Sequence, residues 1–278
     1  MKIAITGASG FLGRHVLAAL KRAHIRPTVL VRNPPAFVCD DVDVANFDLR
    51  HPPVDAFTAL GRPDVLIHLA WGGLPHYGSL HHFEQEAPAH YSFLKMLVTS
   101  GLQHVVVSGT CFEYGMRSGP LDESVSPEPA NPYGLAKMIL HQQLLHLQHK
   151  QAFSLTWARF FYLYGEGQAP GSLFSQLKTA VAQNAAMFDM SGGEQLRDYL
   201  PVEKAAADLV ALALLRKNTG AVNLCSGRPI AVRTLVENWI RENQWNIKLN
   251  LGHHPYPLHE PMAFWGRRDR LDQLLSHA

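Results

Sequence analysis

"KIAITGASGFLGRHVLAAL", residues 2–20, decides how the rest of the chain is read. An apolar run ends at Thr6, glycines follow at Gly7, Gly10 and Gly13, and an amphipathic run starts at about Gly10. That order predicts a strand, a turn and a helix. It puts the free N–H groups and positive dipole end of the helix beside the turn, where a pyrophosphate binds. Gly7 permits the tight turn, Gly10 the approach of a phosphate, and Gly13 the packing of helix on strand. Packing alone also selects glycine in such turns, so it is the register of strand, loop and helix that points to a dinucleotide.

Outward from this loop, short apolar runs alternate with helical patterns. The strands expected are 2–6, 27–32, 41–49, 64–70, 104–110, 154–160 and 221–226. Between them "GRHVLAALKRA", "HYSFLKMLVTSG" and "YGLAKMILHQQLLHLQ" carry apolar residues at three-to-four spacing and read as helices. Such alternation predicts an α/β fold, a doubly wound parallel sheet covered on both faces. The last third changes character, with a loop-like "YGEGQAPGS", a helix near 172–184 and a Pro/His-rich "GHHPYPLHEP" before a final short helix. The expected organisation is a core over 1–165, rejoined by 221–226, with 166–220 and 227–278 mainly forming a small C-terminal lobe.

Composition narrows the function classes. The chain has 278 residues, 47% hydrophobic and 17% charged, with a net charge of +2. That is an ordinary globular balance, with no electrostatic footprint for nucleic acid or an anionic membrane. Cys39, Cys111 and Cys225 lie far apart, which fits a reducing compartment and argues against both a disulfide framework and a cysteine zinc site. No leader is apparent before Lys2 and no apolar run approaches ~20 residues, so a cytoplasmic protein is expected. The 16 histidines show no His-Glu-x-x-His spacing, so no metal is expected.

The spacing Gly-x-x-Gly-x-x-Gly, "HLA" at 68–70 and "YGLAK" at 133–137 together resemble the extended short-chain dehydrogenase/reductase family. The resemblance runs from Lys2 to about Val202 and implies a Rossmann fold, a nicotinamide dinucleotide and a nucleotide-sugar substrate. It places the cofactor on the loop from Gly7 to Gly13, with Ser9, Phe11 and Leu12. It also implies that Asp48 and Leu49 lie against the adenine, and that Leu69, Ala70 and Trp71 line the nicotinamide ribose. Cofactor choice is read one strand on. An acidic residue after the second strand would bind the ribose of NAD, whereas an arginine favours the extra phosphate of NADP. Arg32 holds that place, so NADP(H) is favoured and NAD(H) is the alternative.

"NPYGLAK" carries the chemistry. Asn131 caps a helix that Pro132 opens, and Tyr133 and Lys137 fall at i and i+4 on one face. A phenol of pKa ~10 is a poor proton donor or acceptor at neutral pH. A lysine cation ~4 Å away would stabilise phenolate by up to ~4 kcal/mol, about three pH units. That arrangement would let Tyr133 exchange a proton near neutrality. The resemblance adds that Lys137 also bonds the nicotinamide ribose and that Thr110, in "VVVSGTCFEYG", holds the substrate oxygen. The family's 4,6-dehydratases follow that Thr with Asp-Glu; here Cys111 and Phe112 stand there. Glu113 comes one residue too late, which in an extended chain turns it to the opposite face.

Further matches bear on the substrate. "RFFYLYGEG" resembles an Arg-x-x-Asn-x-Tyr-Gly segment, with Tyr162 in place of the Asn. Arg197, in "QLRDYL", matches an arginine that approaches a nucleotide diphosphate, a role suited to guanidinium. Trp71, Cys111 and Phe112 complete the expected substrate wall. The family's catalytic Asn is missing from "FEQEAPAHYSFL", where His90 lies near its place. The activity expected is NADPH-dependent reduction of a nucleotide-linked 4-keto-6-deoxyhexose for surface polysaccharide precursors. The alternatives are an NAD-dependent 4-epimerase and a non-catalytic NADP-binding sensor or scaffold. A homodimer through the two long helices is expected of the family.

Overall fold

The computed structural model describes residues 1–32, 41–256 and 260–276. The chain runs through β1 (Ile3–Thr6), α1 (Phe11–Arg22), β2 (Thr28–Val31), β3 (Asp43–Asn46), α2 (Ala56–Ala59) and β4 (Val65–His68). A π-helical turn (His82–Glu86) leads into α3 (Ala87–Thr99) and β5 (His104–Thr110). A 3-10 turn (Cys111–Tyr114), β6 (Gly119–Leu121), α4 (Pro132–Gln148) and β7 (Ser154–Phe160) follow. The remainder is β8 (Tyr162–Tyr164), α5 (Leu173–Ala182), β9 (Met187–Asp189), β10 (Leu196–Pro201), α6 (Val202–Leu215) and β11 (Gly220–Leu224). Last come β12 (Pro229–Ala231), α7 (Val232–Glu242), β13 (Lys248–Asn250), β14 (Phe264–Gly266) and α8 (Asp269–Ser276).

Seven parallel strands form the Rossmann sheet in the order β11-β7-β5-β4-β1-β2-β3. The strands at its centre are continuous apolar runs because both faces are covered. On one face α1 packs against α6, burying Val16, Leu20, Leu209 and Leu212 with Ile3 and Ile5. On the other α3 packs against α4, burying Phe93, Leu97, Leu140 and Leu144 with Leu66 and Val105. The order reverses between β1 and β4, so their carboxyl ends open a crevice. Thr6 and His68 face each other across that point.

The lobe holds short strands, β8 parallel to β10 and β12 antiparallel to it, with β9 paired to β13. Its own core gathers Leu177, Phe188, Val236 and Trp239. The expected split of 166–220 needs one correction: α6 lies within it yet covers the sheet, because its Ala and Leu face mates with α1. Cys39 falls outside the described residues; Cys111 and Cys225 are buried free thiols. Among the described residues no helix is long and apolar enough to cross a membrane, and no cluster could hold a metal.

Candidate active site

Two loops meet at the crevice. Gly7 has a φ of 75°, and a Cβ there would lie 2.6 Å from the Ala70 nitrogen after β4. At Gly13 a Cβ would lie 2.1 Å from the Gly7 oxygen, so helix and loop touch backbone to backbone. Gly10 differs: a Cβ there would meet only the Gly7 oxygen, at 3.2 Å. Gly10 caps α1 without a side-chain hydrogen bond, and no acid stands in the first turn. The helix therefore presents donors and dipole to the cleft.

From that end the cleft extends both ways, over Ser9 to Arg32, Asp48 and Leu49 on one side. On the other it reaches Leu69, Ala70 and Trp71, and Arg50 and Glu86 line it as well. The Asp48 carboxylate accepts from the Arg50 amide at 2.9 Å, fixing that turn. A helix end with no side-chain cap, a glycine surface and a cleft lined from Arg32 to Trp71 fit a dinucleotide. Phe11 and Leu12 start α1 beside the loop, and Leu12 packs into the core.

Beyond Trp71 stand the expected catalytic residues. Asn131 accepts from the Gly134 amide at 2.8 Å and Pro132 opens α4, seating Tyr133 and Lys137, both buried. Thr110 ends β5, so all three converge at the carboxyl edge of the sheet. The lysine charge, however, does not lie against the phenol. Lys137 Nζ donates to the Ser108 carbonyl at 2.8 Å and sits 3.8 Å from the Trp71 ring centroid, but 5.8 Å from that of Tyr133.

Burial pushes the Tyr133 phenol up, Tyr77, Glu113 and Cys111 push it further, and a hydrogen bond with Thr110 opposes them. Burial likewise brings Lys137 down to about 7, while the carboxylates of Glu113 and Glu86 hold it up. The expected descent of Tyr133 towards neutrality is thus not what this arrangement produces. A carbonyl and an indole hold the ammonium, and a dry aromatic pocket holds the phenol.

Glu113 does not lie on the opposite face of an extended chain, as its spacing predicts. Residues 111–114 form a 3-10 turn, not an extended run, and the turn folds Glu113 back beneath Thr110. Its carboxylate accepts from the Thr110 amide at 2.9 Å, Trp157 Nε1 at 2.9 Å and Arg159 Nε at 2.8 Å. Burial pushes the Cys111 thiol up, so it stays protonated.

Of the expected substrate residues, Phe112 stands 6.3 Å from Tyr133 and 6.4 Å from Tyr162, ring to ring. Arg197 is buried, its guanidinium 2.9 Å from Glu260 and 4.7 Å from the Phe264 centroid. The structure does not leave it free, because Glu260 neutralises it.

A family model, that of the NAD dependent epimerase/dehydratase family, matches residues 3–225. The chain belongs to the NAD-dependent epimerase/dehydratase family. Among curated proteins it is similar to dTDP-6-deoxy-L-talose 4-dehydrogenase (NAD(+)) of Aggregatibacter actinomycetemcomitans, 29% identical over 96% of this chain and 100% of that one. It is also similar to GDP-6-deoxy-D-mannose reductase of Pseudomonas aeruginosa, 27% identical over 85% of this chain and 78% of that one. Its fold matches MoeE5 in complex with UDP-glucuronic acid and NAD, with a TM-score of 0.85, 22% identity, and 99% and 93% of the two chains covered.

This member of the epimerase/dehydratase family carries one buried chain that sequence reading missed. Thr6 Oγ1 lies 2.8 Å from His68 Nδ1, His68 Nε2 lies 2.6 Å from His90 Nδ1, and His90 Nε2 lies 3.1 Å from Glu86. Glu86 also accepts from the Gly72 amide at 2.7 Å and pairs with Arg50. Its ionised carboxylate can only accept, so each proton in the chain points towards it. Burial alone would raise Glu86, but the bonds from His90 and Gly72, with the Arg50 charge, bring it down to about 2. The one readable signal was the Glu-x-x-x-His spacing of Glu86 and His90; their pairing with His68 is not local.

Proposed function

We propose that the protein is a nucleotide-sugar oxidoreductase acting at C4 of a 6-deoxyhexose, reducing a 4-keto group at the expense of NADPH. The convergence of Thr110, Tyr133 and Lys137 beside the dinucleotide-shaped cleft carries this reading. A 4-dehydrogenase and a 6-deoxysugar reductase among its relatives support the substrate class, since 4-dehydrogenation is 4-keto reduction run backwards. The nicotinamide dinucleotide, bound over Gly7, Gly10 and the α1 terminus, supplies hydride chemistry. Thr110 holds the carbonyl oxygen, Tyr133 gives that oxygen a proton, and Lys137 supplies the positive charge of the site.

Elimination of water is disfavoured. Cys111 and Phe112 offer no acid–base pair, and Glu113 is consumed by Arg159. Trp71, Phe112 and Tyr162 make the sugar-facing wall. Arg197 lies at its polar end, where a diphosphate would have to displace Glu260.

Arg32, at the adenosine end with no acidic side chain beside it in the sequence, favours NADP(H). NAD(H) is the alternative, because the 4-dehydrogenase relative is named for NAD(+). A panel of nucleotide-linked 4-keto-6-deoxysugars with NADPH and NADH tests the proposal by cofactor oxidation and product stereochemistry. Arg32→Ala is expected to weaken NADPH about 10–100-fold, a loss of roughly 1.4–3 kcal/mol, and to leave NADH nearly unchanged. Protein isolated with tightly bound NAD that interconverts sugars without added cofactor would establish the epimerase instead. Tyr133→Phe that spares cellular activity while retaining cofactor would establish the sensor.

A further inference from the structure

Lys137 is almost wholly buried, and among the described residues no carboxylate forms an ion pair with it. Removing an ammonium from water without a partner favours its neutral form. We propose that Glu86 is a remote counter-ion of Lys137, a positioning residue that acts through a stack of His90 and Trp71 to help keep the lysine charged. On one face of the Trp71 indole rests Lys137 Nζ, 3.8 Å from its centroid. The Trp71 ring also stacks with that of His90 at 4.7 Å and 17° between planes. His90 Nε2 then donates to Glu86 at 3.1 Å. Cation, indole, imidazole and carboxylate follow one another in direct contact.

The fold invests in this arrangement. A π turn precedes α3 and brings Glu86 to the Gly72 amide while leaving His90 one turn on, stacked with the indole. Trp71 is fixed at its other end, where Nε1 donates to His82 Nδ1 at 3.1 Å. Every charged or titratable neighbour has a defined part. Glu113 also faces Lys137 and holds it up more than Glu86 does, through a carboxylate that is itself paired with Arg159, 2.8 Å away and buried with it. Arg50, the partner of Glu86, is 38% exposed at its side chain, so water screens it; His81 Nε2 lies 3.2 Å from the same Glu86 oxygen. Burial keeps His68, His82 and His90 below the ordinary histidine range, so they add no competing charge at neutral pH. Tyr133, on the same helix as Lys137, stays neutral for the same reason.

The test is a titration of Lys137 in the full chain, by NMR of ε-carbon-labelled lysine assigned by its loss in Lys137→Met. The wild-type midpoint should fall at about 7. Glu86→Gln is expected to lower that midpoint by about one unit, and Arg50→Gln, which unmasks Glu86, to raise it by about half a unit. Shifts of opposite sign are not what a loosened fold produces. An unchanged midpoint in a folded Glu86→Gln protein overturns the proposal. Should that variant not fold, Arg50→Gln decides alone: a rise supports the proposal, and a midpoint unchanged or lowered overturns it.

The kinetic half rests on the reading of Lys137 as the charge that supports transfer. Glu86→Gln should then lower kcat at pH 7 about fivefold and recover it one pH unit lower. A shifted midpoint with unshifted kinetics keeps the counter-ion and defeats the catalytic reading.

Discussion

The ammonium of Lys137 lies 3.8 Å from the centroid of Trp71 and 5.8 Å from that of Tyr133, so the indole ring and not the phenol ring is the nearer receiver of its charge. Cation and π face at this distance attract by roughly 2 kcal/mol when dry. The phenol, meanwhile, is walled by Tyr77 at 5.4 Å and His82 at 5.3 Å, ring to ring.

Lys137→Met is therefore expected to leave the ligand-free phenol titration where it was, above the ordinary tyrosine range. The same variant should lower turnover by about 10²–10⁴-fold. Phenolate absorbance, with Tyr133→Phe as the difference reference, checks the first part, and steady-state kinetics the second. A phenol that titrates higher once the lysine is gone would show that the charge reaches it after all.

Glycine substitutions should separate the ligand cradle from the packing. Gly10→Ala meets only the Gly7 oxygen, at 3.2 Å, whereas Gly13→Ala meets the same oxygen at 2.1 Å. Gly10→Ala should keep its melting temperature within a few degrees and lose dinucleotide affinity at least tenfold. Gly13→Ala should lose about 1–3 kcal/mol of stability as the loop is forced away. Thermal melting and cofactor titration by fluorescence give both numbers.

Removing the charge of Glu113 should cost more than any surface change. Glu113→Gln leaves Arg159 buried without its counter-charge, a loss of about 3–5 kcal/mol. Urea unfolding measures it. A loss under 1 kcal/mol would mean that water reaches the pair.

Acid should weaken the fold well before the carboxylates titrate. Burial brings His104 down to about 4 and His141 down to about 3. The unfolded chain binds their protons near pH 6.5 and the folded chain does not, so stability falls as pH drops from 6.5 towards those values. Glu86, at about 2 when folded, adds a loss as pH falls below 4.5. Among the described residues neither ring nitrogen of His141 has a hydrogen-bond partner, and the ring stacks on Trp157 at 4.6 Å. His141→Phe keeps the stack and should flatten the slope of stability between pH 6.5 and 4, as read by denaturant midpoints at each pH. An unaltered slope would place the acid sensitivity elsewhere.

How far the sequence could be read follows from where the interactions lie. β5 and β7 coincide with their expected ranges, and β1, β2 and β4 lie within theirs, because doubly covered parallel strands are continuous apolar runs. The Asn131 cap, local by nature, was equally legible. The three-residue strands of the lobe were not, since three residues hold no period. Nor could composition tell that α6 covers the sheet, because an Ala- and Leu-rich helix suits either core. At the site, spacing placed Tyr133 and Lys137 on one face but not the Ser108 carbonyl or the Trp71 ring that claims the charge. His68 and Glu86 are eighteen residues apart and joined only through His90, a relation that no local pattern records.

The path of the chain beyond β7 bears on how this architecture can be altered. It enters the lobe after Phe160, returns to the sheet at α6, leaves again after Leu224 and comes back with α8, which packs on β11. The lobe is thus stitched to the sheet at four points and is not a cassette hung on one linker. Transplanting a relative's lobe would need four matched splices, whereas new specificity can arise by changing single side chains at the seam.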